Sequence, residues 1–115
     1  MIVNKNALML RDNEGNLLPM EMESEVFKGA LKIIPLTEGD FNEIRTNAGN
    51  IKDEDFISKY LVEPKLTKDE ITTLPIISKR EISKLILMTA GLSREEVEKG
   101  MKIALDNLDT NKKKS

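Results

Sequence analysis

The sequence predicts an α+β fold that is mostly helical, with an N-terminal β-hairpin followed by four or five helices. Apolar and polar residues alternate near the N-terminus, and from Thr37 onward the apolar residues recur with helical spacing. Patterns typical of helix starts occur at Thr37, Thr67 and Ser93. A chain of 115 residues has the length of one domain. We expect that domain to cover residues 1–109 and residues 110–115 to form a flexible basic tail.

The hairpin is predicted from two extended segments that follow a loop signal, DNEGN, at 12–16. The first segment alternates Leu18, Met20 and Met22 with polar residues. Pro19 has no N–H to donate to a β-ladder, so this strand is expected at a sheet edge. The second strand is predicted within 26–35, and its apolar side would consist of Phe27, Leu31 and Ile33.

The helical part is divided by caps and prolines. One helix is expected from Thr37 to about residue 49, and another from about residue 50 until Pro64 stops it. After a short turn at Thr67, residues 76–90 form the most apolar segment, which predicts the central core helix.

The core helix is expected to end at Gly91. The last predicted helix follows Ser93 and has a single narrow apolar seam. This seam and the end of the core helix beneath it form the candidate partner-binding site. An amphipathic helix ordinarily packs on its own core, whereas a detachable helix with an adaptable methionine suits docking to a partner. Both interpretations stay open for Leu87, Met88, Val97, Met101, Ala104, Leu105 and Leu108.

The composition argues against an enzyme. The chain contains no histidine and no cysteine, so the commonest general base and any thiol nucleophile are missing. Its paired acids fall at predicted helix starts, where ionised carboxylates stabilise the helix dipole. The serines and lysines within 78–84 fall on a charged helix face. We therefore expect no catalytic residue, no metal and no cofactor.

The charge and aromatic content argue against binding to nucleic acid or membrane. The net charge is −2 and aromatic residues make up 3% of the chain, whereas nucleic-acid surfaces need basic residues and stacking platforms. The basic cluster at Lys112, Lys113 and Lys114 stands beside Asp106 and Asp109. No apolar run approaches the ~20 residues that span a bilayer.

Three stretches of the chain resemble a known family. They are RDNEGNLLP at 11–19, KIIPLTEGDFNEI at 32–44 and YLVEPKLTKDEI at 60–71. Together they are similar to the tail assembly chaperones of long-tailed phages and prophages of Gram-positive bacteria. In that family a strand ending in Ile-Ile-Pro-Leu-Thr leads into a helix, and Glu-Pro-Lys precedes a Thr-x-x-Glu turn and an apolar helix that ends at Gly. The matching residues here are Ile33–Thr37, Glu63–Lys65, Thr67–Glu70 and Ile82–Gly91.

The resemblance implies a non-enzymatic protein of virion morphogenesis that acts in the host cytoplasm and is absent from the mature virion. Such proteins bind the tape measure protein and help to recruit tail tube protein around it; self-association is left open. The alternative is a small helical regulatory adaptor that binds nucleic acid through its lysine tail. Salt dependence separates the two, because phosphate contacts weaken steeply with salt and an apolar groove does not.

Overall fold

A computed structural model describes residues 2–47 and 50–100. Within these residues the chain forms a three-stranded antiparallel sheet and six helices, which confirms the predicted α+β, mostly helical fold. The elements are α1 (Lys5–Leu8), β1 (Met20–Ser24), β2 (Gly29–Ile33), α2 (Glu38–Asn47), α3 (Asp53–Tyr60), β3 (Leu61–Glu63), α4 (Lys68–Thr72) and α5 (Ile76–Met88). A further helix, α6, starts at 94, and its described part ends at 100. The predicted tail at 110–115 lies outside the described residues.

The predicted hairpin is formed by β1 and β2. Ser24 pairs with Gly29, so residues 25–28 form the turn. The sheet order is β1-β2-β3, which places β1 at an edge, as Pro19 predicted. One prediction was wrong: Phe27 belongs to the turn and is 37% exposed, because the chain reverses before it can join the buried side of β2.

The third strand, β3, was not predicted. The helix α3 ends at Tyr60, before Pro64, because the next residues pair with β2: Leu61 lies opposite Ile33 and Glu63 opposite Lys32. Tyr60 also accepts a backbone hydrogen bond from Ile34 N–H at 2.9 Å. The open edge of β2 thus provides hydrogen bonds that replace another helical turn.

Reciprocal capping bonds start three helices, as their sequences predicted. In each pair a hydroxyl accepts from a backbone N–H three residues ahead, while an acid at that later position accepts from the N–H of the hydroxyl residue. Such a cap contributes ~1 kcal/mol. The pairs are Thr37 and Asp40 for α2, Thr67 and Glu70 for α4, and Ser93 and Glu96 for α6.

The segment before β1 was predicted only as a loop, and it also contains the single turn α1. The loop itself is confirmed: Asp12 Oδ1 accepts from the N–H groups of Glu14 and Asn16, at 2.9 and 3.0 Å. Gly15 takes a φ of +86°, which glycine adopts without a Cβ clash. No residue of α1 is buried.

The core lies between the sheet and α3, α4 and α5. Leu85 and Ile86 of α5 are fully buried, which confirms α5 as the central core helix. The chain then turns at Gly91, whose φ is +92°. The core cluster consists of Leu31, Ile33, Ile57, Tyr60, Leu61, Ile71, Ile82, Leu85 and Ile86.

Two substitutions in α5 test this orientation of the helix. Leu85→Ala removes a fully buried side chain and should lower the free energy of unfolding by ~2–5 kcal/mol. Ile77→Ala removes a side chain that is 66% exposed and should change it by less than ~0.5 kcal/mol. Urea denaturation followed by circular dichroism measures both. Equal losses for the two variants would contradict the orientation.

Candidate partner-binding groove

An open groove lies between the hairpin turn, α5 and α6. Its volume is about 440 Å³. The turn forms one wall, the first half of α5 forms the second, and the start of α6 forms the third. The lining residues are Val26, Ile76, Ile77, Arg80, Glu81, Lys84, Arg94 and Glu98.

Three aliphatic side chains in this groove face solvent. Ile76 is 70% exposed, Ile77 66% and Val26 49%. The two isoleucines occupy the first turn of α5, directly after Pro75. Single exposed aliphatic residues are normal at a protein surface, but several that converge on one groove are typical of a binding site.

A buried carboxylate joins the three walls of the groove. Glu81 is 3% exposed, and its two oxygens accept from Arg94 Nη1 at 2.9 Å and Nη2 at 3.0 Å. Ser24 Oγ–H donates to Glu81 Oε2 at 2.6 Å. The contact with Arg94 is bidentate, because two N–H groups of the guanidinium donate to the two carboxylate oxygens. This is the strongest arrangement for these two groups. A single side chain of α5 therefore connects the hairpin to α6.

The charge of Glu81 is stabilised in the folded protein. Hydrogen bonds from Arg94 hold the pKa of Glu81 below its ordinary value; burial acts in the opposite direction, and the bond from Ser24 lowers the pKa further. The hydrogen bonds to Glu81 also raise the pKa of the Arg94 guanidinium. Both groups are therefore charged at neutral pH, and the ion pair is intact.

A second acid of the groove is also paired. Glu98 Oε1 lies 3.3 Å from Lys84 Nζ and 3.8 Å from Arg94 Nη1. Arg80 is exposed and makes no ion pair with any residue in 2–47 or 50–100. The groove thus offers aliphatic side chains at one end and, beside them, a guanidinium that pairs with no carboxylate of the described residues.

The residues predicted as partner contacts do not line this groove. Leu87 and Met88 are half-buried at the end of α5, and Met88 packs against the core cluster. Val97 lies on α6 and is 3% exposed, although it is outside the core cluster. The other predicted contacts lie outside the described residues: Met101, Ala104, Leu105 and Leu108.

Sequence reasoning missed the groove, although one signal points to it. Ile76 and Ile77 lie off the helical stripe formed by Ile82, Leu85 and Ile86. Both residues fall in the first turn of the predicted core helix. Apolar residues off the buried stripe are the pattern that predicts an exposed contact.

Two further features are absent from the part of the chain that the structure describes. No group of three or more acidic side chains there has a geometry that could hold a metal ion. None of the helices described is long and apolar enough to cross a membrane.

Comparison with known proteins identifies no relative. No protein-family model, no curated protein and no solved structure matches this chain. What the groove can bind is therefore derived from its own side chains.

The Glu81 contact predicts a specific dependence of stability on pH. Glu81→Gln should lower the free energy of unfolding at pH 7 by ~1–3 kcal/mol, because a charge-assisted hydrogen-bond pair is lost. The folded pKa of Glu81 lies below the unfolded one, so its contribution is complete above the unfolded pKa and disappears as the pH falls through the folded pKa. The stability difference between wild type and variant should therefore shrink below about pH 4.

Urea denaturation at a series of pH values between neutral and acidic measures this difference. Glu23→Gln is the matched control, because Glu23 is an exposed neighbour of Ser24 on β1, and its effect should stay below ~0.5 kcal/mol. A Glu81→Gln deficit that is the same at every pH would contradict the role assigned to the Glu81 charge.

Proposed function

We propose that this protein is a non-enzymatic phage tail assembly chaperone that binds the tape measure protein in the host cytoplasm and helps to recruit tail tube protein around it. The observation that carries the proposal is the groove, where Val26, Ile76 and Ile77 are exposed beside charged side chains. A chaperone of this kind needs exposed apolar contacts for its partner. It also needs a charged surface that keeps the complex in solution.

The positions of the family-like motifs support the proposal. Ile33–Thr37 connects β2 to α2, and Thr67–Glu70 starts α4. Within the first motif, Leu36 N–H donates to Thr89 Oγ1 at 3.0 Å, at the end of α5. The first motif therefore contacts the end of α5, the helix whose first turn carries the exposed isoleucines.

The size of the apolar surface favours reversible binding. Full burial of an aliphatic side chain contributes ~1.5–3 kcal/mol, while association costs ~4–15 kcal/mol. Three side chains alone thus give a weak contact, which tube subunits can displace. Many copies bound along one long partner would still cover it.

The groove is reachable without rearrangement of the fold, whereas Val97 is not. A partner that contacts Val97 must first displace α6, which breaks the Arg94–Glu81 and Lys84–Glu98 ion pairs. We therefore assign the first contact with the partner to the groove. Leu87, Met88 and the seam of the last helix remain further proposed contacts.

Co-expression with the tape measure protein of the same genome tests the proposal. We expect the long partner to be soluble in the presence of this chain and to co-purify with it. Ile77→Asp should reduce co-purification roughly 5- to 30-fold, because a buried charge costs at least ~1–2 kcal/mol.

The matched control is Leu18→Asp, which changes an aliphatic residue that is 45% exposed and does not line the groove. This variant should co-purify like wild type. A partner that stays insoluble while the chain elutes alone would contradict the proposed function. Equal losses for both variants would contradict the assignment of the groove.

A further inference from the structure

We infer that the groove binds an acidic amphipathic helix, which packs aliphatic side chains on Ile76 and Ile77 and places a carboxylate one helical turn further along, on Arg80. This inference rests on the proposed function, since it specifies the chemistry of the partner segment at the same groove.

Charge complementarity favours a partner helix with an acidic residue. Both carboxylates of the groove already have partners: Glu81 bonds to Arg94 at 2.9 and 3.0 Å, and Glu98 lies 3.3 Å from Lys84. Arg80 is exposed and lacks an ion-pair partner within the described ranges. A basic partner would meet this free guanidinium and would find Glu81 only 3% exposed. An acidic partner is therefore favoured over a basic one.

The spacing along α5 sets the pattern of the partner. Ile76, Ile77 and Arg80 lie within about one turn of the same helix, and one turn rises about 5.4 Å. A partner helix that lies along α5 repeats this spacing, because its residues at i and i+4 share one face. An aliphatic residue at i and an acid at i+4 thus meet the isoleucines and Arg80 together, while Val26 of the turn closes the apolar end.

The backbone around the groove favours a helix over an extended segment. The walls are two helices and a turn, and a helix already uses its own backbone groups for internal hydrogen bonds. An added strand would need unpaired backbone donors and acceptors along the groove. An amphipathic helix needs only side-chain contacts, because its backbone is satisfied internally.

Three peptides test the inference without the tape measure protein. Each peptide is an alanine-rich helix of about 18 residues, with leucine at positions i and i+4. The residue one turn after the second leucine differs between the peptides and is Glu, Gln or Lys. Fluorescence anisotropy at low salt measures their affinities. We expect the Glu peptide to bind ~1.5- to 5-fold more tightly than the Gln peptide, as for an exposed ion pair, and the Lys peptide to bind most weakly because it brings a like charge to Arg80.

The Arg80→Glu variant should reverse this order, so that the Lys peptide binds most tightly. Lys65→Glu is the matched control, because Lys65 is exposed and does not line the groove; it should leave the order unchanged. Urea denaturation of both variants checks that they are folded, and Arg80→Gln, which should abolish the preference, replaces Arg80→Glu if that variant is unfolded.

Three results with the peptides would overturn the inference. They are equal affinities for the three peptides, an order that Arg80→Glu does not change, and no binding of any peptide at millimolar concentration. None of them bears on the co-expression result, which tests the proposed function separately. A wild-type dimer that Ile77→Asp dissociates would also overturn it, since the occupant of the groove would then be a second copy of this chain.

Discussion

The contact on which the rest of the structure depends joins Ser24, Glu81 and Arg94. These residues belong to β1, α5 and the start of α6, and 57 positions separate the first two. A carboxylate that is 3% exposed is costly to bury unless it is paired and hydrogen-bonded. The fold satisfies it by bringing the end of β1 and the start of α6 together at this one side chain of α5. The same arrangement forms the three walls of the groove.

The two faces of α5 have different environments. One side contributes Ile82, Leu85 and Ile86 to the core, and the other presents Ile76, Ile77 and Arg80 to solvent. Binding at the exposed side therefore requires no exposure of the core. Under the proposed function, a partner attaches and leaves while the fold persists.

Features that depend on neighbouring residues could be predicted from the sequence. The caps at Thr37, Thr67 and Ser93, the loop at Asp12 and the buried stripe of α5 are all set by spacings of two to four residues. Features that depend on distant partners could not. The strand β3 forms because β2 offers an open edge. The adjacent apolar residues Tyr60 and Leu61, both buried, fit the pattern of a continuing helix as well as that of a strand.

The same contrast between local and long-range features applies to the candidate site. The exposed isoleucines were visible as residues off the apolar stripe, but the meeting of Val26 with α5 and α6 follows from the long-range contact at Glu81. The seam predicted on the last helix lies within the described residues only at Val97. This residue faces inward in the folded chain, because Arg94 and Glu98 on the same helix bind side chains of α5.

The central claim is that a partner protein covers Ile77, and the absence of native cysteine allows a direct test. A single cysteine at Ile77 can be labelled with a maleimide in the free chain and in its complex with the tape measure protein, with Leu18→Cys as the exposed reference. The account predicts that complex formation slows labelling at position 77 by at least ~10-fold, as for a group in the desolvated centre of an interface, and leaves position 18 unchanged. Labelling of position 77 at the free rate in an intact complex would contradict it.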